Sequence, residues 1–181
     1  MRIIGGSLKG REIRTPQLSA RPTTDFAKEG LFNILSNHVD FEATQVLDLF
    51  SGSGSISFEF ASRGCPHITC VEMNPLHVSF IKKTALQFNL ASIKVVHHNV
   101  FDFIPICTQA YDLIFADPPY DLLYLETLPQ KINTAHLLRT GGLFILEHSC
   151  SFDFSATQGF QKTKRYGNVH FSFFNFDQST I

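Results

Sequence analysis

Gln45-Val46-Leu47-Asp48-Leu49-Phe50-Ser51-Gly52-Ser53-Gly54-Ser55 is an apolar run of strand length that ends in a turn with two glycines. The residues from Ser55 onward read as the start of a helix. A buried strand that passes through such a turn into a helix is how an open parallel sheet builds a ligand site, because backbone at the turn can approach the ligand closely. Taken alone, the Gly52-x-Gly54 pair is equally an ordinary tight strand-to-helix turn, so the reading depends on its surroundings.

Downstream, apolar runs at residues 68–73, 93–98, 111–117 and 143–147 predict four more buried strands. Between the second and third strands, Val78, Ile81, Ala85 and Phe88 share one helical face, which predicts a crossover helix over residues 75–89. Strands alternating with helices imply a parallel sheet covered on both faces. Upstream, Ala27, Leu31, Ile34, Leu35 and His38 form a helical stripe, with Asp25 placed to cap it. Near the other end, residues 161–165 and 169–176 flank Tyr166-Gly167-Asn168 and predict an antiparallel hairpin. The expected fold is α/β and Rossmann-like: a mostly parallel sheet with a C-terminal antiparallel hairpin and an N-terminal helix plus a small hairpin. Residues 1–24 are expected to form a basic hairpin appended to one domain over residues 25–181.

A length of 181 residues suits one compact domain, and 44% hydrophobic against 17% charged residues is a globular composition, unusual only in its 19 Phe and absent Trp. Cys65, Cys70, Cys107 and Cys150 make no Cys-x-x-Cys pair and are expected as buried thiols of a reducing compartment. The apolar start is too short for a signal peptide and no run is long enough to span a bilayer, so a cytoplasmic protein without a membrane partner is expected. The formal net charge is −1, but its distribution is uneven: Arg2, Lys9, Arg11, Arg14 and Arg21 face Glu12 alone in residues 1–21, and Lys162, Lys164 and Arg165 cluster near the C-terminus. Either cluster alone reads as solvated surface charge.

Glu72 follows Gly52 by twenty residues and closes the second strand, where a carboxylate can accept from both hydroxyls of a ribose. A dinucleotide site would want a third glycine at position 57, where this chain has Ser57, and Asp48 adds a carboxylate before the turn. S-adenosylmethionine fits that pattern better than NAD: it has a ribose but no pyrophosphate, and its ammonium and sulfonium are cationic. After the third strand, Asn99 or Asp102 in His97-His98-Asn99-Val100-Phe101-Asp102 stands where an adenine edge would lie. The two histidines point to opposite faces of a strand and cannot chelate one metal, so a packing role and no metal site are expected.

Tyr111 to Asp117 would deliver Asp117 to the carboxyl edge of the sheet, where Pro118 and Pro119 stiffen the chain ahead of Tyr120. The exocyclic amine of a base is a poor nucleophile because its lone pair is delocalised into the ring. The Asp117 carboxylate and the Pro118 carbonyl can accept its two N–H groups and aim the nitrogen at a methyl group, while Tyr120 offers a face for stacking the base. The structural alternative, a Pro-Pro turn after a buried strand, loses weight once Asp48, Gly52, Gly54 and Glu72 stand in order upstream.

With these residues in place, the chain resembles the RsmD-type methyltransferases, which modify the N2 amino group of a guanine in small-subunit (16S) ribosomal RNA. The resemblance runs nearly end to end through Arg2-Ile3-Ile4-Gly5-Gly6, Arg21-Pro22-Thr23-Thr24-Asp25, Glu29 with Leu31-Phe32-Asn33, Leu47-Asp48 to Gly54, Glu72-Met73 and Asp117-Pro118-Pro119-Tyr120. It implies a class I S-adenosylmethionine-dependent fold and a catalytic set of Asp117, Pro118, Pro119 and Tyr120. It also implies a cofactor set of Arg21, Thr23, Thr24, Asp48, Phe50, Gly52, Gly54, Glu72, Met73, Asn99 and Val100. By the same resemblance, Arg2, Lys9, Arg11 and Arg14 would grip phosphates of small-subunit rRNA or an assembling 30S particle, with the protein acting as a monomer. Asn74, Phe26 and Lys28 depart from the family's usual Asp and arginines. A DNA amino-methyltransferase is the nearest alternative, disfavoured because no segment is left for target recognition. A non-catalytic RNA-binding scaffold conflicts with the intact motifs, and the basic clusters disfavour a small-molecule substrate.

Overall fold

A computed structural model describes residues 1–15, 24–119 and 122–177. Its elements in chain order are α1 (Asp25–Leu35), β1 (Gln45–Leu49), α2 (Ser55–Ser62), β2 (His67–Glu72), α3 (Pro75–Gln87), β3 (Ile93–His97), α4 (Val100–Phe103), β4 (Tyr111–Ala116), α5 (Leu128–Thr134), β5 (Leu138–His148), β6 (Phe160–Tyr166) and β7 (Val169–Phe174). They form one seven-stranded sheet in the order β3-β2-β1-β4-β5-β7-β6. The first five strands are mutually parallel, and β7 pairs antiparallel with both β5 and β6. The expected α/β architecture is therefore present. Strand order runs one way from β1 to β3 and the other way from β4 onward, so a crevice opens between the carboxyl ends of β1 and β4.

The sheet divides the core into two layers. On one side α1, α2 and α3 pack through Leu31, Phe32, Phe58, Phe60 and Ile81. On the other, α4 and α5 pack through Val100, Leu128, Ile132 and Phe144. The phenylalanine excess fills both layers: the Phe32 and Phe60 rings meet edge to face at 4.9 Å, and Phe174 contacts Phe144 and Phe154. The alternating pattern of β7 would leave one face open to water, yet all six of its residues are buried. Ser172 has its partners there: it bonds His148 Nε2 and Thr163 Oγ1, both at 2.8 Å.

The structure departs from the sequence-based expectations at several points. Thr24 rather than Asp25 caps α1: its hydroxyl accepts from Ala27 N, and Asp25 is the first helical residue. His38 lies beyond the end of α1 and is exposed. Only Cys65 and Cys70 are buried, while Cys107 is half-buried and Cys150 exposed. β5 begins at Leu138, before its apolar run, with a register shift opposite Tyr111 and Leu113.

Residues 1–13 fold back on themselves through an Arg2–Glu12 bridge and bury Ile3 and Ile13 in the core. A buried ion pair anchors this segment. Lys28 Nζ lies 3.1 Å from Glu59 Oε1 and donates to the Arg2 carbonyl at 2.6 Å and to Ser55 Oγ at 3.3 Å. Glu59 also accepts the Ile4 N–H at 2.7 Å and pairs with Arg63, whose guanidinium covers the Phe32 ring. Each charge is thereby paired and hydrogen-bonded, which burial demands.

Candidate active site

The turn after β1 is shaped by backbone geometry. Gly54 caps α2 with φ of 78°, in the left-handed region, and a Cβ there would lie 3.0 Å from both Ile81 Cγ1 and Phe58 Cε2. Glycine is thus required for conformation and for space. Gly54 N donates to Ser51 O at 2.7 Å, and Ser51 N donates to Val71 O at 3.1 Å. Glu72 secures the same turn: its Oε2 accepts from Gly52 N at 2.8 Å and its Oε1 from Asn74 N at 2.7 Å. Each carboxylate oxygen keeps a second lone pair, which a ribose hydroxyl can use.

Asp48 is buried in β1, where Ser57 Oγ donates to its Oδ2. Burial pushes its carboxyl up to about 7, against hydrogen bonds from Ser57 and Ser51 that lower it. Cys70 Sγ donates to Ser57 Oγ at 2.9 Å. The sequence reading treats Ser57 only as a missing glycine; its serine identity is the signal that a hydroxyl serves Asp48.

Phe50, with φ of 59°, meets the Phe101 ring edge to face at 6.1 Å. Met73 is 62% exposed at the end of β2, and its carbonyl bonds His97 Nε2 at 2.9 Å, so His97 is an exposed hydrogen-bonding residue rather than a packing one. Asn99 caps α4 by accepting from Phe101 N at 2.8 Å, which leaves its amide N–H groups for other acceptors. Val100 is buried and Asp102 exposed. The β1 turn, Met73 and Asn99 therefore stand at the carboxyl ends of three neighbouring strands.

Asp117 follows β4, directly across the crevice, and its N–H donates to Leu49 O at 3.3 Å. Pro118 is buried and Pro119 exposed. Tyr120, Arg21 and Thr23 lie outside the described residues. Lys9, Arg11 and Arg14 are exposed on the N-terminal segment, and Arg2 Nε lies 3.5 Å from Asp25 Oδ2. Among the described residues no three His, Cys, Asp or Glu converge as metal ligands, and no helix is long and apolar enough to cross a membrane. A glycine turn and strand-end carboxylates fit a cationic adenosine cofactor.

The model of the family described as conserved hypothetical protein 95 matches residues 1–175. Ribosomal RNA small subunit methyltransferase D of Escherichia coli strain K12 is 32% identical over 143 residues, covering 78% of this chain and 68% of that protein. The protein of the same name from Buchnera aphidicola subsp. Baizongia pistaciae is 28% identical over 181 residues, covering 96% and 91%. A solved Escherichia coli structure, provisionally described as the methyltransferase yhhF, superposes with a TM-score of 0.82 at 29% identity over 96% of each chain.

Proposed function

The chain belongs to the conserved hypothetical protein 95 family, that of the RsmD-type methyltransferases, and from that membership we propose that it methylates the exocyclic N2 amine of a guanine in 16S rRNA. It is an S-adenosylmethionine-dependent methyltransferase. The observation that carries the reading is the crevice between β1 and β4, with the glycine turn and Glu72 on one side and Asp117 on the other.

Glu72 would hold the ribose, Asp48 the cationic aminoacyl end, Asn99 and Val100 the adenine, and Phe50, Gly52, Gly54 and Met73 the walls; by family resemblance Arg21, Thr23 and Thr24 would serve its methionine end. When bound, the cofactor supplies an electrophilic methyl carbon on its sulfonium. Asp117 and the Pro118 carbonyl accept the two N–H groups of the amine and hold its nitrogen in line, and Pro119 keeps that carbonyl fixed. Tyr120 stacks on the flipped base. Asp117 takes the proton that the nitrogen loses. Exposed Lys9, Arg11 and Arg14 contact phosphates. The substrate is small-subunit rRNA, free or in an assembling 30S particle, and the protein works in the cytoplasm as a monomer without a metal.

The test is transfer of labelled methyl to small-subunit RNA and 30S particles lacking the modification, followed by nucleoside analysis. Labelled N2-methylguanosine that disappears with Asp117→Ala supports the reading. Label in N6-methyladenosine, or in DNA alone, overturns the substrate.

A further inference from the structure

Away from the crevice, α1 and β6 enclose a groove of about 540 Å³ lined by Phe26, Glu29, Gly30, Lys162, Lys164 and Tyr166, among others. Phe26 is 68% exposed, and its ring meets Tyr166 edge to face at 5.7 Å. Exposed Lys164 and half-buried Lys162, whose ammonium lies 5.3 Å from the Phe173 ring centroid, stand beside exposed Phe26 and half-buried Tyr166. Cations next to a stacking ring suit a single-stranded nucleic acid, whose phosphates seek cations and whose bases stack on rings.

Position strengthens the match. β6 runs parallel to β4, because β4 is parallel to β5 and two antiparallel steps lead from β5 to β6. Ala116 is level with Leu146, Leu146 with Ser172, and Ser172 with Thr163. The next residues along β4 and β6, Asp117 and Lys164, are therefore level at the same edge of the sheet. Three strand spacings separate them, about 14 Å.

We propose that the α1–β6 groove is a second RNA-binding surface, gripping the substrate strand a few nucleotides from the methylated base through Lys162, Lys164, Phe26 and Tyr166. The inference rests on RNA being the substrate class.

The experiment compares the full chain with Lys162→Gln/Lys164→Gln and with Phe26→Ala, using a fluorescent single-stranded RNA of roughly ten nucleotides, within the usual site size. The double variant should bind about tenfold more weakly at low salt, with a salt slope shallower by about 1.4, or about 0.7 for each lost phosphate contact. Phe26→Ala should weaken binding roughly fivefold or more. Cofactor affinity should stay at the wild-type level in both. RNA affinity and salt slope within twofold of wild type overturn the groove, as do cross-links from position 26 to protein rather than RNA in 30S particles. If wild type transfers no methyl to rRNA while the variants still lose RNA affinity, the guanine reading fails and the groove stands.

Discussion

Glu72 at the end of β2 accepts the backbone N–H of Gly52 at 2.8 Å, so a single carboxylate ties the second strand to the turn that leaves the first. The same group accepts from Asn74 N at 2.7 Å.

Glu72→Gln would set an amide donor against one of those two N–H groups. The expected cost is about 1–3 kcal/mol of stability, read by denaturant unfolding, with cofactor affinity reduced at least about tenfold by calorimetry. Wild-type cofactor affinity in this variant would remove Glu72 from the cofactor site.

Asp117→Asn keeps the side chain's shape but loses its charge and one acceptor. Single-turnover methyl transfer should slow by about a hundredfold or more, while cofactor binding stays near wild type. An unchanged rate would assign the chemistry to other groups.

Lys28→Met leaves Glu59 buried with a partner removed. Because Glu59 keeps Arg63 and the Ile4 N–H as partners, a loss of about 1–3 kcal/mol is expected, measured by thermal and denaturant unfolding. Lys28→Met combined with Glu59→Leu should recover part of it, and no recovery would mean that packing rather than charge sets the cost.

Asp48 titrates near 7 in the fold and near the ordinary carboxyl value of 3.8 when unfolded. Between those values the folded state holds the extra proton, so this group's contribution to stability falls as pH rises from about 4 to 7 and levels off above. Asp48→Asn removes that slope. Its melting temperature relative to wild type should therefore be most favourable above pH 7 and least favourable near pH 4, and a pH-independent difference would contradict the assignment.

The sheet is legible in the sequence because its parallel strands are largely apolar runs, although β3, expected as a buried strand, lies at the sheet edge with every residue half-buried or exposed. The candidate site is legible because its glycines and Asp117 sit at strand ends. The Lys28–Glu59 pair is not, since thirty-one positions separate its partners and only packing brings them together. A signal exists: Glu59 interrupts a helix whose every residue is buried, where a carboxylate must find a cation. The early start of β5 is hidden because residues 138–142 lack apolar alternation and gain their pairing from β4.

Gly30 lies within α1 with no backbone need to be glycine, yet a Cβ there would meet the Tyr166 ring at 2.1 Å. The helix gives up about 1 kcal/mol of propensity at that position, and the ring gains its seat. Positions 30 and 166 are therefore coupled in what they tolerate: a side chain at 30 demands a smaller one at 166, and related chains should vary at the two positions together.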